Sequence, residues 1–245
     1  MTQSFCPGHI SCIFQPRRSS DVASTGSRGV GIRLDKGAHA RVLPRGDSEV
    51  RVTIDGVPSE APVTRLAVGI LAPGKGYDIS VRNDLPVSQG FGMSAAGAVA
   101  AALCVADLEG IPRGEAMMAA HEADIRGGGG MGDVAAIAGD VPVPVRLSPG
   151  MPPYGKVVDA GISLGDVTVM VLGPKMATGP VLSDPARLEA ICGAAESAMH
   201  GFLEGPSHDS LYRQSNAFSE AAGLEGPEVS SALRALRSAG FSAGM

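Results

Sequence analysis

The sequence predicts an α+β fold, and three observations carry that expectation. The first sixty residues break into short segments of alternating apolar and polar side chains, whereas the last sixty read as helices. In between, strands and helices do not alternate strictly, as a doubly wound sheet would require. The third observation is a glycine-rich turn, PVSQGFG (86–92), set between a strand-like segment and a helix almost without polar side chains.

The elements follow in order. HISCIF (9–14), GVGIRLD (29–35), HARVLP (39–44) and EVRVTIDG (49–56) read as strands separated by Gly, Pro and Ser clusters. APVTRLAVGILA (61–72) has helical spacing, and the strand YDISVR (77–82) leads into the glycine turn. The alanine- and leucine-rich stretch 94–110 is a helix stopped by Gly110 with Pro112 beyond. Pro112 opens a further helix, IPRGEAMMAAHEADIR, which runs into GGGGMG (127–132). GDVAAIAG (132–139) holds one or two helical turns, and VPVPVRL (141–147) is a strand with prolines of the kind found at edges. The Pro/Gly-rich join SPGMPPYG (148–155) is the best boundary, dividing the chain into 1–150 and 151–245. Beyond it lie a strand at 166–173, DVTVMVLG, and helices near 184–203, 207–223 and 227–239.

Composition narrows the function. A chain of 245 residues with 44% hydrophobic and 18% charged residues can bury a substantial core. The net charge of −5 gives no general attraction to nucleic acid or to an anionic membrane, so any anion site must be local. The N-terminal segment MTQSFCPGH has neither a basic region nor an apolar run, and AAGAVAAALCVA is too short to span a bilayer. Cys6, Cys12, Cys104 and Cys192 form no C-x-x-C pair and read as scattered small hydrophobes of a reduced, cytoplasmic protein.

The glycine turn is where chemistry first shows. A loop that opens a helix leaves the first N–H groups unpaired, and these donors and the helix dipole point the same way. Such an end binds anions, phosphate foremost. No Gly-Lys-Ser/Thr follows, so it is not a Walker loop; the G-x-G-x-x-G spacing fails at Ala95, so it is not a dinucleotide fingerprint. Taken alone, the glycines also fit a plain tight turn and Ser94 an N-cap.

Three other stretches join it: PGHISCIFQ (7–15), STGSRGVGI (24–32) and AHEADIRGGGGMGDV (120–134). Together with PVSQGFGMSAAGA (86–98), they resemble the GHMP small-molecule kinase superfamily. Within it, P-G-H-I, T-G-S-R-G and H-E-A-D…G-M-G-D-V are most similar to the archaeal pantoate kinases. The resemblance covers essentially the whole chain. It implies an N-terminal subdomain like that of ribosomal protein S5 and a ferredoxin-like C-terminal subdomain. The latter is expected to be incomplete, because the family's late glycine-rich motif would be starting at AGFSAGM (239–245).

The resemblance also implies a reaction and a site. The reaction is ATP-dependent phosphorylation of the 4-hydroxyl of pantoate, with Mg2+ as the metal. Gly90, Gly92, Met93, Ser94, Ala95 and Ala96 would hold the triphosphate through backbone N–H groups, and Ser94 would offer its hydroxyl to the metal. Glu122 matches the family's carboxylate ligand; read alone, it stands four residues before Arg126 and fits a surface ion pair equally well. Asp133 would face the acceptor hydroxyl, or serve only as the cap of a short helix. His9 stands where much of the superfamily has a lysine.

A carboxylate substrate calls for a guanidinium, and Arg28 is the candidate, with Ser27, Thr25 and Asp21 nearby and Arg17 and Arg18 as weaker ones. His39, His200 and His208 lack metal-ligand spacing. The expected partner is a small molecule, pantoate, with a homodimer as the assembly to test. The rival readings are a superfamily kinase acting on homoserine, mevalonate or a sugar, and a nucleotide-binding relative without turnover.

Overall fold

A computed structural model describes residues 1–173, 175 and 178–245. Its first two strands, β1 (Thr2–Arg17) and β2 (Gly26–Pro44), form one long antiparallel hairpin. The strands expected at 29–35 and 39–44 are therefore one. Between them Gly37 and Ala38 are paired, and a register shift between Pro7 and His9 absorbs two extra residues of β2 as a bulge. A single 3₁₀ turn, Val22–Ser24, joins the hairpin's two strands, capped by the Asp21 carboxylate accepting from the Ala23 N–H at 2.9 Å.

The remaining strands are β3 (Val50–Ile54), the short β4 (Val57–Pro58), β5 (Tyr77–Asn83), β6 (Pro144–Ser148) and β7 (Lys156–Asp159). The sheet runs β4-β3-β5-β2-β6-β7, with β1 also paired to β2. Only β3 and β5 are parallel, joined by a crossover through helix α1 (Pro62–Leu71). β7 lies beyond the join at 148–155 yet pairs with β6, so the sheet continues past that join.

Helix α2 (Met93–Glu109) explains its own sequence. Nearly every residue from Met93 to Ala106 is buried, between the sheet and helices α1 and α3 (Arg113–Arg126). Alanine on all faces lets three neighbours approach a central helix closely, where an amphipathic pattern would strand polar groups inside. A second cluster joins Cys12, Ile13, Val30 and Val145 to Ile191, Met199 and Phe202 of one helix and Leu211 and Phe218 of the next. Those helices, α6 (Pro185–Leu203) and α7 (His208–Ala221), cover the end of the β1–β2 hairpin; the short helices α4 (Asp133–Ala138) and α5 (Thr178–Ser183) precede them, and α8 (Pro227–Ser238) follows.

One element differs from expectation. Residues 166–173 form no strand, although their side chains alternate between half-buried and exposed up to Met170. Alternation assigns faces; a strand also needs a partner, and among the described residues none lies alongside. The described residues beyond β7 form helices without a strand, so the strand component of the expected ferredoxin-like subdomain is not among them. Cys6, Cys12 and Cys104 are buried free thiols, and burial pushes Cys6 and Cys12 up to about 12 and Cys104 to about 11. Among the described residues, no helix is long and apolar enough to cross a membrane.

Candidate active site

The glycine turn, β1 and α4 meet at one point. Gly92 is the N-cap of α2, with a φ of +64°. A side chain there would stand 3.0 Å from the His9 carbonyl and 3.5 Å from the Asp133 carboxyl carbon. The His9 N–H donates to the Phe91 carbonyl at 3.1 Å, tying β1 to the turn. The first helical bond is Ala96 N–H to Gly92 at 2.9 Å, which leaves the N–H groups of Met93, Ser94 and Ala95 without helical acceptors. Met93, Ala95 and Ala96 bury their side chains in the core, so only their backbones can serve a ligand. Ser94 is exposed, is not the N-cap, and among the described residues its hydroxyl makes no hydrogen bond.

Beside this helix end lies a chain of polar groups. His9 Nδ1 is 2.8 Å from Asp133 Oδ1, with the imidazole fully buried and the carboxylate 21% exposed. His9 Nε2 is 3.3 Å from Nη1 of Arg146, a wholly buried guanidinium on β6. Burial is the main cause lowering His9, so the imidazole is neutral. Burial also brings Arg146 down to about 10, with the Asp133 charge acting the other way. Asp124, on α3, accepts from the Met131 N–H at 3.0 Å; burial first and then the charge of Asp133 push its carboxyl up to about 7. His121 donates from Nε2 to the Thr25 carbonyl at 3.0 Å, and its Nδ1 is buried with no partner.

The sequence candidates divide. His9, Gly92 and Asp133 come together, with Ser94 in the first turn of α2 and Gly90 two residues before its cap. Glu122 instead pairs with Arg126 at 2.5 Å along the face of α3, and the α3 carboxylate that senses Asp133 is Asp124. Arg28 is not a free guanidinium: it donates to the Leu147 carbonyl at 3.2 Å and to Gln15 at 3.1 Å, and it faces Glu196 at 3.4 Å. Asp21 and Thr25 are occupied within the 3₁₀ turn, Thr25 by bonds to Asp21 and Ser19. Ser27 is buried at the site's edge, its carbonyl accepting from Arg146 Nε at 3.1 Å and its hydroxyl turned to the Arg28 carbonyl. Arg17 is half-exposed and contacts Glu196, while Arg18 is exposed. His39, His200 and His208 each face a neighbouring acid away from these residues.

Arg146, Asp124 and His121 are residues that the sequence did not single out. A lone arginine in an apolar strand has no spacing to mark it, and Asp124 is only the last letter of HEAD.

Comparison with known proteins decides the family. Residues 62–139 match the family described as GHMP kinases N terminal domain. A pantoate kinase of Thermococcus kodakarensis is 31% identical over 96% of this chain and 81% of its own length. The chain belongs to the pantoate kinase family of GHMP kinases. A second member, from Methanospirillum hungatei, is 29% identical over 95% of this chain and 79% of its own. Among solved structures, a "phosphotransferase related to CoA biosynthesis pathway" superposes with a TM-score of 0.82 at 27% identity, covering 96% of this chain and 80% of that one. A Methanococcus jannaschii mevalonate kinase shares the fold, with a TM-score of 0.62 at 11% identity, over 95% of this chain and 83% of its own.

Proposed function

We propose that this GHMP kinase transfers the γ-phosphoryl group of ATP to the 4-hydroxyl of pantoate, in the cytoplasm, giving 4-phosphopantoate for coenzyme A synthesis. One observation carries the reading: a partly exposed carboxylate, Asp133, is held by a buried imidazole at the open N-terminus of a glycine-capped helix. Phosphoryl transfer asks a protein for positioning and charge neutralisation more than for covalent chemistry. The free N–H groups of Met93, Ser94 and Ala95 supply donors for phosphate oxygens. Asp133 orients the acceptor hydroxyl and takes its proton as that oxygen bonds to phosphorus and ADP leaves.

A magnesium ion fits the donor set. Among the described residues, no three His, Cys, Asp or Glu gather into a cage. Magnesium in nucleotide sites needs only one or two carboxylates besides phosphate oxygens and water. Asp124 is a buried carboxylate crowded by a second negative charge, the situation that a divalent cation relieves. Asp124 and the Ser94 hydroxyl would hold the ion, with Asp124 in the place assigned by sequence to Glu122. When bound, it neutralises charge on the phosphates.

The test is ATP consumption with pantoate, pantothenate, homoserine, mevalonate and shikimate. Turnover is expected with pantoate alone. Comparable turnover of homoserine or mevalonate would overturn the substrate while leaving the family intact, and nucleotide binding without any turnover would overturn the enzyme.

A further inference from the structure

We infer that Arg146 is a positioning residue that locks His9 as its neutral Nδ1–H tautomer, so that Asp133 keeps Oδ2 free for the acceptor hydroxyl. What Asp133 does with that oxygen rests on the function proposed above; the lock itself does not.

The geometry leaves one assignment of protons. A guanidinium carries only donors, so His9 Nε2, 3.3 Å from Arg146 Nη1, must accept. The opposite nitrogen lies 2.8 Å from a carboxylate oxygen, which accepts, so Nδ1 must carry the hydrogen. A doubly protonated ring would set an N–H against the guanidinium, and the other neutral tautomer would lose both bonds at once. Only the Nδ1–H form satisfies both neighbours.

Arg146 is itself fixed. Its Nε donates to the Ser27 carbonyl at 3.1 Å, and Nη2 reaches the Ser11 hydroxyl at 3.3 Å and the Ile13 carbonyl at 3.5 Å. The backbone around the pair is cut to fit. A Cβ on Gly31 would lie 2.2 Å from His9 Nε2, one on Gly29 2.7 Å from Arg146 Nη2, and one on Gly132 3.1 Å from Arg146 Nε. A fully buried cation whose nearest acid lies beyond an imidazole is costly to fold around, and replacing such groups by apolar ones is often neutral or stabilising. This arrangement is therefore poorly explained by stability and well explained by the proton it places.

Two consequences follow. His9 is sealed from solvent and donates its only hydrogen to Asp133, so it neither gives nor takes a proton during transfer. Asp133 Oδ1 is occupied, while Oδ2 accepts no hydrogen bond among the described residues. The lock thus decides which oxygen of the carboxylate faces the substrate.

The experiment is nitrogen-detected NMR of ¹⁵N-histidine-labelled protein, together with steady-state kinetics. The chain has five histidines, and the spectrum of His9→Asn identifies the signal that belongs to His9. In the wild type, His9 is expected as the Nδ1–H tautomer at neutral pH. In Arg146→Met the signal should shift to a mixture including the Nε2–H form, with kcat down about 10²-fold and KM for ATP unchanged, the size of a general-base contribution. Arg146→Lys, which keeps a donor to Nε2, should restore the tautomer and most of kcat. His9→Asn keeps an N–H near the Nδ1 position and should retain more activity than His9→Leu. Finding wild-type His9 as Nε2–H or imidazolium overturns the inference even if no variant folds. So does an Arg146→Met protein with unchanged tautomer and unchanged kcat. A protein inert toward pantoate with His9 locked as described would remove the proposed substrate and leave the lock standing.

Discussion

Two charged clusters lie along β2 and meet very different surroundings. At one end His9, Arg146, Asp124 and Asp133 are packed inside or nearly so. At the other, Arg45 is within 4 Å of three carboxylates, those of Asp47 at 2.5 Å, Asp78 at 2.9 Å and Glu49 at 3.6 Å, all about half exposed to water. The surface cluster has three ion pairs, whereas in the buried cluster a neutral imidazole stands between the charges of Arg146 and Asp133. Yet in low dielectric each proton position carries a large energy, whereas in water the same contacts are screened and cost side-chain freedom to hold. The lesson is that chemistry follows burial and proton placement rather than the number of opposite charges brought together. The variants below test that contrast.

The largest effect is expected at Asp133. Asp133→Asn keeps size and the possibility of a contact with His9 but cannot take a proton. Turnover should fall by about 10²–10⁴-fold while ATP binding, followed by calorimetric titration, changes little. Near-normal kcat would reduce Asp133 to an acidic residue in the first turn of α4 and erase the functional side of the comparison.

Asp124 comes next, and it sharpens the electrostatic side. Asp124→Asn should abolish most magnesium-dependent turnover, whereas Glu122→Gln should leave it within about twofold and cost only the few tenths of a kcal/mol of an i,i+4 pair. The Asp124 carboxyl stands at about 7 in the fold against an ordinary 3.8, so between these values the folded protein holds a proton that the unfolded chain has released. That stabilising contribution is complete below about pH 4 and is lost as pH rises through 7. In magnesium-free protein, Asp124→Asn should therefore gain on the wild type as pH rises, by a few degrees at about pH 8, given about 2–4 °C per kcal/mol. A constant difference in Tm across that range would show that Asp124 is not the strained carboxylate.

Ser94→Ala should lower kcat by roughly 10–100-fold through a lost ligand contact, with no change in Tm, because Ser94 is exposed and Gly92 is the helix cap. A loss of stability comparable to that of a removed cap would move Ser94 from the site to the scaffold.

How much of this was legible before the structure depends on what kind of information a residue carries. Helix α2 and its glycine turn show in the composition itself, because a helix buried on every face has no polar stripe. The hairpin β1–β2 was legible as strands but not as two long ones, since the bulge between Arg33 and Gly37 that lets β2 run on depends on the partner's register. On α3, Glu122 and Asp124 are two apart and project to different sides. Nothing in HEAD says which of them turns toward Asp133; packing against α4 decides it. Arg146 was beyond reach altogether, because its meaning lies in His9, far away along the chain and adjacent only after the hairpin and β6 have paired. The segment 166–173 shows the converse: a pattern correct in its faces, with no strand beside it.

The smallest effect belongs to the surface cluster. Arg45 holds Asp47 down to about 2, chiefly by their hydrogen bonds, so protonation of Asp47 between about pH 4 and 2 would release whatever stability the pair contributes. That contribution is present above the ordinary carboxylate value and lost as pH falls through the lowered one. Both groups meet solvent, however, and screening leaves little of the apparent interaction at physiological salt. Arg45→Ala should accordingly leave kcat untouched and Tm at neutral pH unchanged within error. Any difference from the wild type should be confined to low ionic strength and should vanish in about 1 M salt, where the Debye length is about 3 Å. A loss of stability that survives high salt would mean that the Arg45 side chain acts through packing against the sheet end. The contrast between the two clusters would then be one of shape as much as of dielectric.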